Sequence, residues 1–245
     1  RAHLAELAIL HNRLAEAEIL YREALAIATR SGEPEPVRGI PLMGYGVLAY
    51  ERNELASAQR LLEEGIDAVR GWGQMGTVQA HVVLFKVRRA LGDLGGAAAM
   101  LSTADELVAR SRPPVAMLGS HVQFFHMQAA LQAGDLATAD YYAELSGLTA
   151  PGQSADLAIP VPVERCYVHL ARAQWLRGHG RGREALPALD MLLQVAVRQG
   201  RGRLEMQVRL EQSVIFFVLN QRERALVVLD AALDLARAAG ALRPV

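Results

Sequence analysis

The chain has 245 residues, 51% of them hydrophobic and only 5% aromatic, and its 26 basic residues balance 26 acidic ones. The basic residues are scattered, whereas a nucleic-acid surface needs a basic stripe, so we expect no direct binding of nucleic acid. The single cysteine, Cys166, excludes an internal disulfide and favours a cytoplasmic location.

Six short turns divide the chain at regular intervals. An alanine recurs after 41, 39, 42, 46 and 40 residues, and Gly or Asn stands five residues before each alanine. These two residue types accept the left-handed backbone that ends a helix, so we predict six helix ends, each followed by a second helix. The turn residue and the alanine of each unit are Asn12/Ala17, Asn53/Ala58, Gly92/Ala97, Gly134/Ala139, Gly180/Ala185 and Asn220/Ala225.

The repeating unit predicts an all-α protein. A small residue follows the alanine by seven positions in five of the six units, which puts both on one helical face where a neighbouring helix can approach. Each pair then buries its apolar face against the next, as in an α-solenoid, and we predict a single domain over 1–245 within a longer chain. First helices are expected at about 1–11, 38–52, 76–91, 114–133, 162–178 and 202–219, and second helices at about 13–30, 54–70, 93–110, 135–147, 182–199 and 221–239.

Three segments need a separate interpretation. The prolines in 110–115 predict that one helix stops and the next restarts there. Residues 113–134 carry no formal charge, but their two histidines and three glutamines argue against a membrane span. The connection 147–163 is longer than a solenoid turn needs, and it is either an ordinary spacer or a lid or partner contact.

Signatures of catalysis and of metal binding are absent from the sequence. The single lysine, Lys86, follows Phe85, so no phosphate-binding loop of the GxxxxGK type is present. The seven histidines form no HExxH motif. Cys166 and His169 are three apart on a predicted helix, and a buried thiol near an imidazole is a simpler interpretation than a catalytic pair. We predict no enzyme, no metal site and no cofactor in this segment.

The unit "LQAGDLATAD" at 131–140, with its GDL turn and small-residue seam, resembles a tetratricopeptide-like repeat. The intervals of 39–46 residues exceed the usual 34, and longer repeats of this type resemble the superhelical sensor domain of the MalT family of LuxR-type regulators. The segments "ERCYVHLARAQWLRG", "ALPALDMLLQVAVRQGR" and "QRERALVVLDAALDLARAAG" carry the resemblance most specifically. It implies a right-handed superhelix of about six repeats.

The resemblance also implies a function. Bacterial regulators of this kind combine an N-terminal ATP-binding module, a superhelix that binds an inducer, and a C-terminal helix-turn-helix domain that binds DNA. This chain is similar to the superhelix alone, so ATP is expected in a module outside it. The expected partners are a small-molecule inducer and the other domains of the same regulator.

In arrays of this kind the first helix of each pair lines the concave surface, at about three, six, ten and thirteen residues before the turn. Those positions combine cations with aromatic rings, which suits an anionic or polyhydroxylated ligand. The simpler alternative is that the arginines are solvated and the aromatic rings are core. The candidate ligand-binding residues are Tyr50, Gln79, Lys86, Arg89, His121, Phe124, Gln128, Arg165, Arg172 and Trp175.

Two other functions remain open. A general scaffold would take a protein or an extended peptide in the groove. A peptide-pheromone receptor built on similar repeats would clamp the peptide backbone with asparagine side chains, and the groove positions contain almost none.

Overall fold

A computed structural model describes residues 1–30, 35–70, 75–111, 116–149 and 163–243. Over these ranges the chain forms helices and no strand, which confirms the all-α prediction. The twelve helices are α1 Ala2–Leu10, α2 Leu14–Arg30, α3 Glu35–Glu51, α4 Leu55–Ala68, α5 Met75–Ala90, α6 Leu94–Arg110, α7 Ala116–Ala133, α8 Leu136–Leu145, α9 Val163–Gly178, α10 Gly182–Arg198, α11 Gly202–Val218 and α12 Arg222–Ala239.

The six predicted turns are all present and share one geometry. Each predicted Gly or Asn has a positive φ, from 59° at Asn220 to 83° at Gly92. The residue after it donates its amide to the carbonyl five positions earlier, for example Asp135 N to Ala130 O at 2.9 Å. This bond satisfies a carbonyl that the helix end leaves open. Each pair therefore turns back on itself within about three residues.

Small residues bring the two helices of a pair together. The six alanines that follow the turns are all at most 5% exposed. In the second pair, Gly65 of α4 lies against Gly39 and Met43 of α3, so close that a Cβ atom at Gly65 would be 2.9 Å from the Gly39 carbonyl oxygen. The predicted small-residue spacing therefore marks a real helix contact.

The described helices fall into two compact units. The first unit comprises residues 1–122 and 239–245, and part of its core is formed by Leu62, Leu84 and Val87. The second unit comprises residues 123–238, with a core that includes Leu189, Leu192 and Ile215. Both cores consist mainly of aliphatic side chains, as expected for a composition with few aromatic residues.

The prolines at 113 and 114 and most of the connection 147–163 lie outside the described residues, so the interpretations of both stay predictions. Across the ranges that are described, no helix combines the length and apolar character needed to span a membrane.

Candidate functional site

In the first unit, helix α5 carries two of the predicted cations on one face. Lys86 and Arg89 are three residues apart, so their side chains lie on neighbouring turns of the same face. The Arg89 guanidinium lies 5.3 Å from the centroid of the Phe85 ring, within the range of a cation–π contact. Gln79 is exposed two turns earlier on this helix. This part of α5 presents positive charge and hydrogen-bond donors.

His121 of α7 is within electrostatic range of Lys86, but its own side chain is uncharged at neutral pH. The residue is exposed, yet desolvation by the surrounding protein, together with the Lys86 ammonium, lowers its pKa to about 4. The imidazole is therefore neutral at pH 7, and it can offer one donor and one acceptor.

Tyr50 lies in the last turn of α3 and contacts a segment near residue 243, a contact that the sequence pattern did not predict. Its phenol is hydrogen-bonded to Arg243, which is 193 positions away in sequence. Burial raises the pKa of Tyr50, and the Glu51 charge raises it too, whereas the Arg243 and Arg89 cations act in the opposite direction. Residues 240–243, which we name the C-terminal strap, thus reach the predicted site. Gly240, directly after the last predicted helix, is the one signal in the sequence that a turn follows there.

In the second unit, two predicted residues are committed to packing and to hydrogen bonds between helices. The Trp175 indole of α9 donates to Asp140 of α8 at 2.8 Å and packs against the apolar cores on both sides. Phe124 of α7 packs against the core that contains Met127, with its ring 5.0 Å from that of Phe125. For these two rings the simpler alternative stated above, a role in packing, has direct structural support.

Two polar members of the predicted set lie on the same helices. The Gln128 amide of α7 donates to the Gln174 side-chain oxygen of α9 at 2.7 Å. Arg172 of α9 has a buried Nη1 that finds no hydrogen-bond acceptor among the residues described in the structure. Such a nitrogen is costly unless water or a ligand satisfies it. Arg165 also belongs to α9, but its side chain lies outside the described part.

Cys166 and His169 of α9 lie in the interior of the second unit. The Cys166 thiol is fully buried and accepts a hydrogen bond from Arg201 Nη1 at 3.5 Å, and His169 is also buried. Among the residues that the structure covers, no three histidine, cysteine or acidic side chains are placed to hold a metal ion. Lys86 and Arg89 of the first unit can each donate charge-assisted hydrogen bonds to an anion, and so can Arg172 of the second unit.

Comparisons with known proteins agree with this architecture. A family model described as "MalT-like TPR region" matches residues 2–245. Among solved structures, the crystal structure of BtubC (BKLC) from P. vanneervenii is similar, with a TM-score of 0.51 and 13% sequence identity over 96% of this chain and 94% of that chain. At this identity the similarity concerns the fold alone. No curated protein matches the chain in sequence.

Proposed function

Because the chain belongs to the family of MalT-like TPR regions, we propose that it is the inducer-binding sensor domain of a bacterial MalT/LuxR-type, ATP-dependent transcription regulator. Its role is to bind a small molecule on the face formed by the first helices of the pairs. The ATP site and the DNA-binding helix-turn-helix belong to other modules of the same regulator. The work of this domain is therefore recognition and signalling, not catalysis, in the cytoplasm.

The observation that carries this proposal is the buried Nη1 of the Arg172 guanidinium. This nitrogen is shielded from solvent and has no acceptor among the described residues. A buried donor without a partner costs roughly 1–3 kcal/mol, so a ligand oxygen that satisfies it is bound correspondingly more tightly. Arg172 occupies one of the first-helix positions predicted for the concave surface. An anionic or polyhydroxylated ligand has the oxygen acceptors that this position requires.

The cations of the first unit support the same ligand class. Lys86 and Arg89 share a face of α5, and the neutral His121 beside Lys86 adds hydrogen-bonding capacity without further charge. Carboxylate, phosphate or sugar hydroxyl groups match these donors. For signalling, the inducer must bind the active state of the regulator more tightly than the resting state, because a ligand with equal affinity for both shifts nothing.

The test begins with a thermal-shift screen of anionic and polyhydroxylated metabolites against the 245-residue chain. A compound that binds only the folded state raises the melting temperature. The Kd of each hit is then measured by calorimetry for the unchanged chain and for Arg172→Ala. The matched control is Arg198→Ala, which removes an exposed arginine from the second helix of the same pair. Loss of one charge-assisted hydrogen bond predicts a Kd about tenfold weaker or more for Arg172→Ala.

Two results would contradict the proposal. One is a ligand that Arg172→Ala binds as tightly as the unchanged chain does. The other is a screen without hits together with saturable binding of a peptide or protein, which would establish the scaffold function instead. That second function has one observation in its favour, because Val214 and Phe217 of α11 are 41% and 62% exposed on a first-helix face.

A further inference from the structure

Helices α10 and α12, both in the second unit, carry the same side chains in the same register. Residues 186–193 read LPALDMLL and residues 226–233 read LVVLDAAL, and each segment begins directly after the alanine of its turn. Positions one, five and eight after the alanine lie on one face of a helix. These positions hold Leu186, Asp190 and Leu193 in α10, and Leu226, Asp230 and Leu233 in α12.

In α10 this face is covered by the next first helix, α11. Leu186 and Leu193 pack against a core to which α11 contributes Leu204, Val208 and Ile215. These three side chains are spaced by four and seven residues, so they form one apolar stripe along α11. The contact between α10 and α11 is thus an example of what the shared pattern binds.

The carboxylate in the pattern fixes the register of that contact. The Gln212 amide of α11 donates to Asp190 Oδ1 at 2.7 Å. The first unit repeats the arrangement, because Glu63 stands five residues after the turn alanine of α4 and accepts from Arg88 Nη2 of α5 at 3.3 Å. In both pairs an acidic side chain at this position accepts from a side chain of the next first helix.

In α12 the same face has no covering helix. Leu226 is 64% exposed and Leu233 is 42% exposed. Asp230 is exposed between them, and it forms no hydrogen bond or ion pair with any residue that the structure describes. Scattered exposed leucines are ordinary, but here two of them flank an unpaired carboxylate in a pattern that is occupied two helices earlier. We name Leu226, Asp230 and Leu233 the α12 docking face.

We propose that the α12 docking face binds an amphipathic α-helix of a partner protein, in the way that α10 binds α11. The partner helix carries aliphatic residues and a side-chain donor in the order that α11 shows, with Leu204, Val208, Gln212 and Ile215 as the template. Its aliphatic residues cover the two leucines, and its donor bonds to Asp230. This inference goes beyond the proposed function, because the predicted ligand positions lie on first helices and α12 is a second helix.

Asp230 makes the α12 docking face selective. A helix that is apolar at the facing position would strip water from the carboxylate without giving it a hydrogen bond, which weakens binding. A helix with an acidic residue there would be repelled. The preferred partner therefore has a glutamine, as α11 has opposite Asp190, or an arginine, as α5 has opposite Glu63.

The experiment titrates the 245-residue chain with a synthetic peptide that has the sequence of α11, residues 202–218, and blocked termini. We expect saturable binding of one peptide per chain by calorimetry, with NMR shift changes at the methyl groups of Leu226 and Leu233. Leu226→Asp should weaken binding about tenfold or more, since it replaces a leucine that the peptide buries. Leu145→Asp is the matched control, because Leu145 is 54% exposed on α8 of the same unit.

A charge reversal tests the register. A peptide with Gln212→Glu should bind the unchanged chain about tenfold more weakly than the original peptide does, because two carboxylates then meet at Asp230. Asp230→Arg in the chain should reverse this preference, so that the Gln212→Glu peptide becomes the tighter ligand. Such a reversal requires that the two side chains are in contact.

Several results would overturn the inference. They are a peptide that does not bind, binding that Leu226→Asp leaves unchanged, and a peptide preference that Asp230→Arg does not reverse. Sedimentation that shows self-association of the chain, abolished by Leu226→Asp, would assign the face to a second copy instead. A peptide that binds the 245-residue chain but not the longer native protein would assign it to another segment of the same polypeptide. The sensor function stands in each case, because its test is the binding of metabolites by Arg172→Ala.

Discussion

Replacing Gly65 with alanine tests the helix contact on which the repeat architecture depends. Gly65 lies in the middle of α4 and faces α3. An added Cβ atom would be 2.6 Å from Met43 Cγ, 2.9 Å from the Met43 nitrogen and 2.9 Å from the Gly39 carbonyl oxygen. Two of these three atoms belong to the backbone, so the clash cannot be relieved by rotating a side chain, and the two helices must move apart.

The magnitude follows from two opposing terms. Alanine is a better helix former than glycine by about 1 kcal/mol, which by itself would stabilise α4. Overpacking of a tight contact costs about 1–3 kcal/mol, and the backbone contacts put Gly65 toward the upper end of that range. We therefore expect Gly65→Ala to lower the free energy of unfolding by about 1–2 kcal/mol. For a chain of this size the melting temperature falls by roughly 2–4 °C per kcal/mol.

Gly95→Ala is the matched control. Gly95 also lies in a second helix, α6, but it is exposed and no atom lies within 4 Å of an added Cβ. Only the helix-propensity term applies there, so we expect a gain of up to about 1 kcal/mol. Urea unfolding followed by circular dichroism measures both variants. A Gly65→Ala variant as stable as the unchanged chain would refute the close approach of α3 and α4.

Three further predictions concern the turns and the titratable groups. Gly134→Val should cost about 1 kcal/mol or more in a urea titration because φ is +75° there, whereas Gly134→Asn should be nearly neutral; equal losses would contradict the turn geometry. Arg177→Ala should cost about 2 kcal/mol, since it leaves the 6% exposed Glu211 carboxylate without its partner. Burial already raises the Glu211 pKa, so this loss should shrink as the pH is lowered and the carboxyl group becomes protonated; a loss that does not vary with pH would argue against the pair. The pKa of His121, followed by NMR, should lie near 4 rather than near 6.5, and should rise in Lys86→Gln. Between pH 6.5 and pH 4 the unfolded chain binds a proton at this imidazole and the folded chain does not. The free energy of unfolding therefore has its full contribution from His121 above pH 6.5 and loses it as the pH falls toward 4.

The turns could be predicted from the sequence because their cause is local. A left-handed residue must be Gly or Asn to avoid a steric penalty, so six such positions at one place in a repeat identify six helix ends. The small residue seven positions after the alanine, present in five of the six units, is predictable for a related reason, since only a small side chain fits where two helices approach closely. Gly65 shows this directly, because no space remains for even one methyl group.

The partners of the site residues could not be predicted in the same way. Spacing places Trp175 on a helix face, but it does not show that the indole donates to Asp140 on another helix. It also could not show that Arg243 meets Tyr50, because that contact joins residues 193 positions apart. Contacts between distant parts of a chain depend on how all the intervening pairs stack, and a repeat period fixes only the contacts of neighbours.

The central claim, that this chain is the sensor domain of a larger regulator, is tested most directly by sequencing the native gene on both sides of the region that encodes residues 1–245. We predict a phosphate-binding loop of the GxxxxGK type in the same reading frame upstream and a helix-turn-helix domain downstream. A reading frame that encodes neither would contradict the regulator function and would leave a repeat scaffold whose partner is a protein or a peptide.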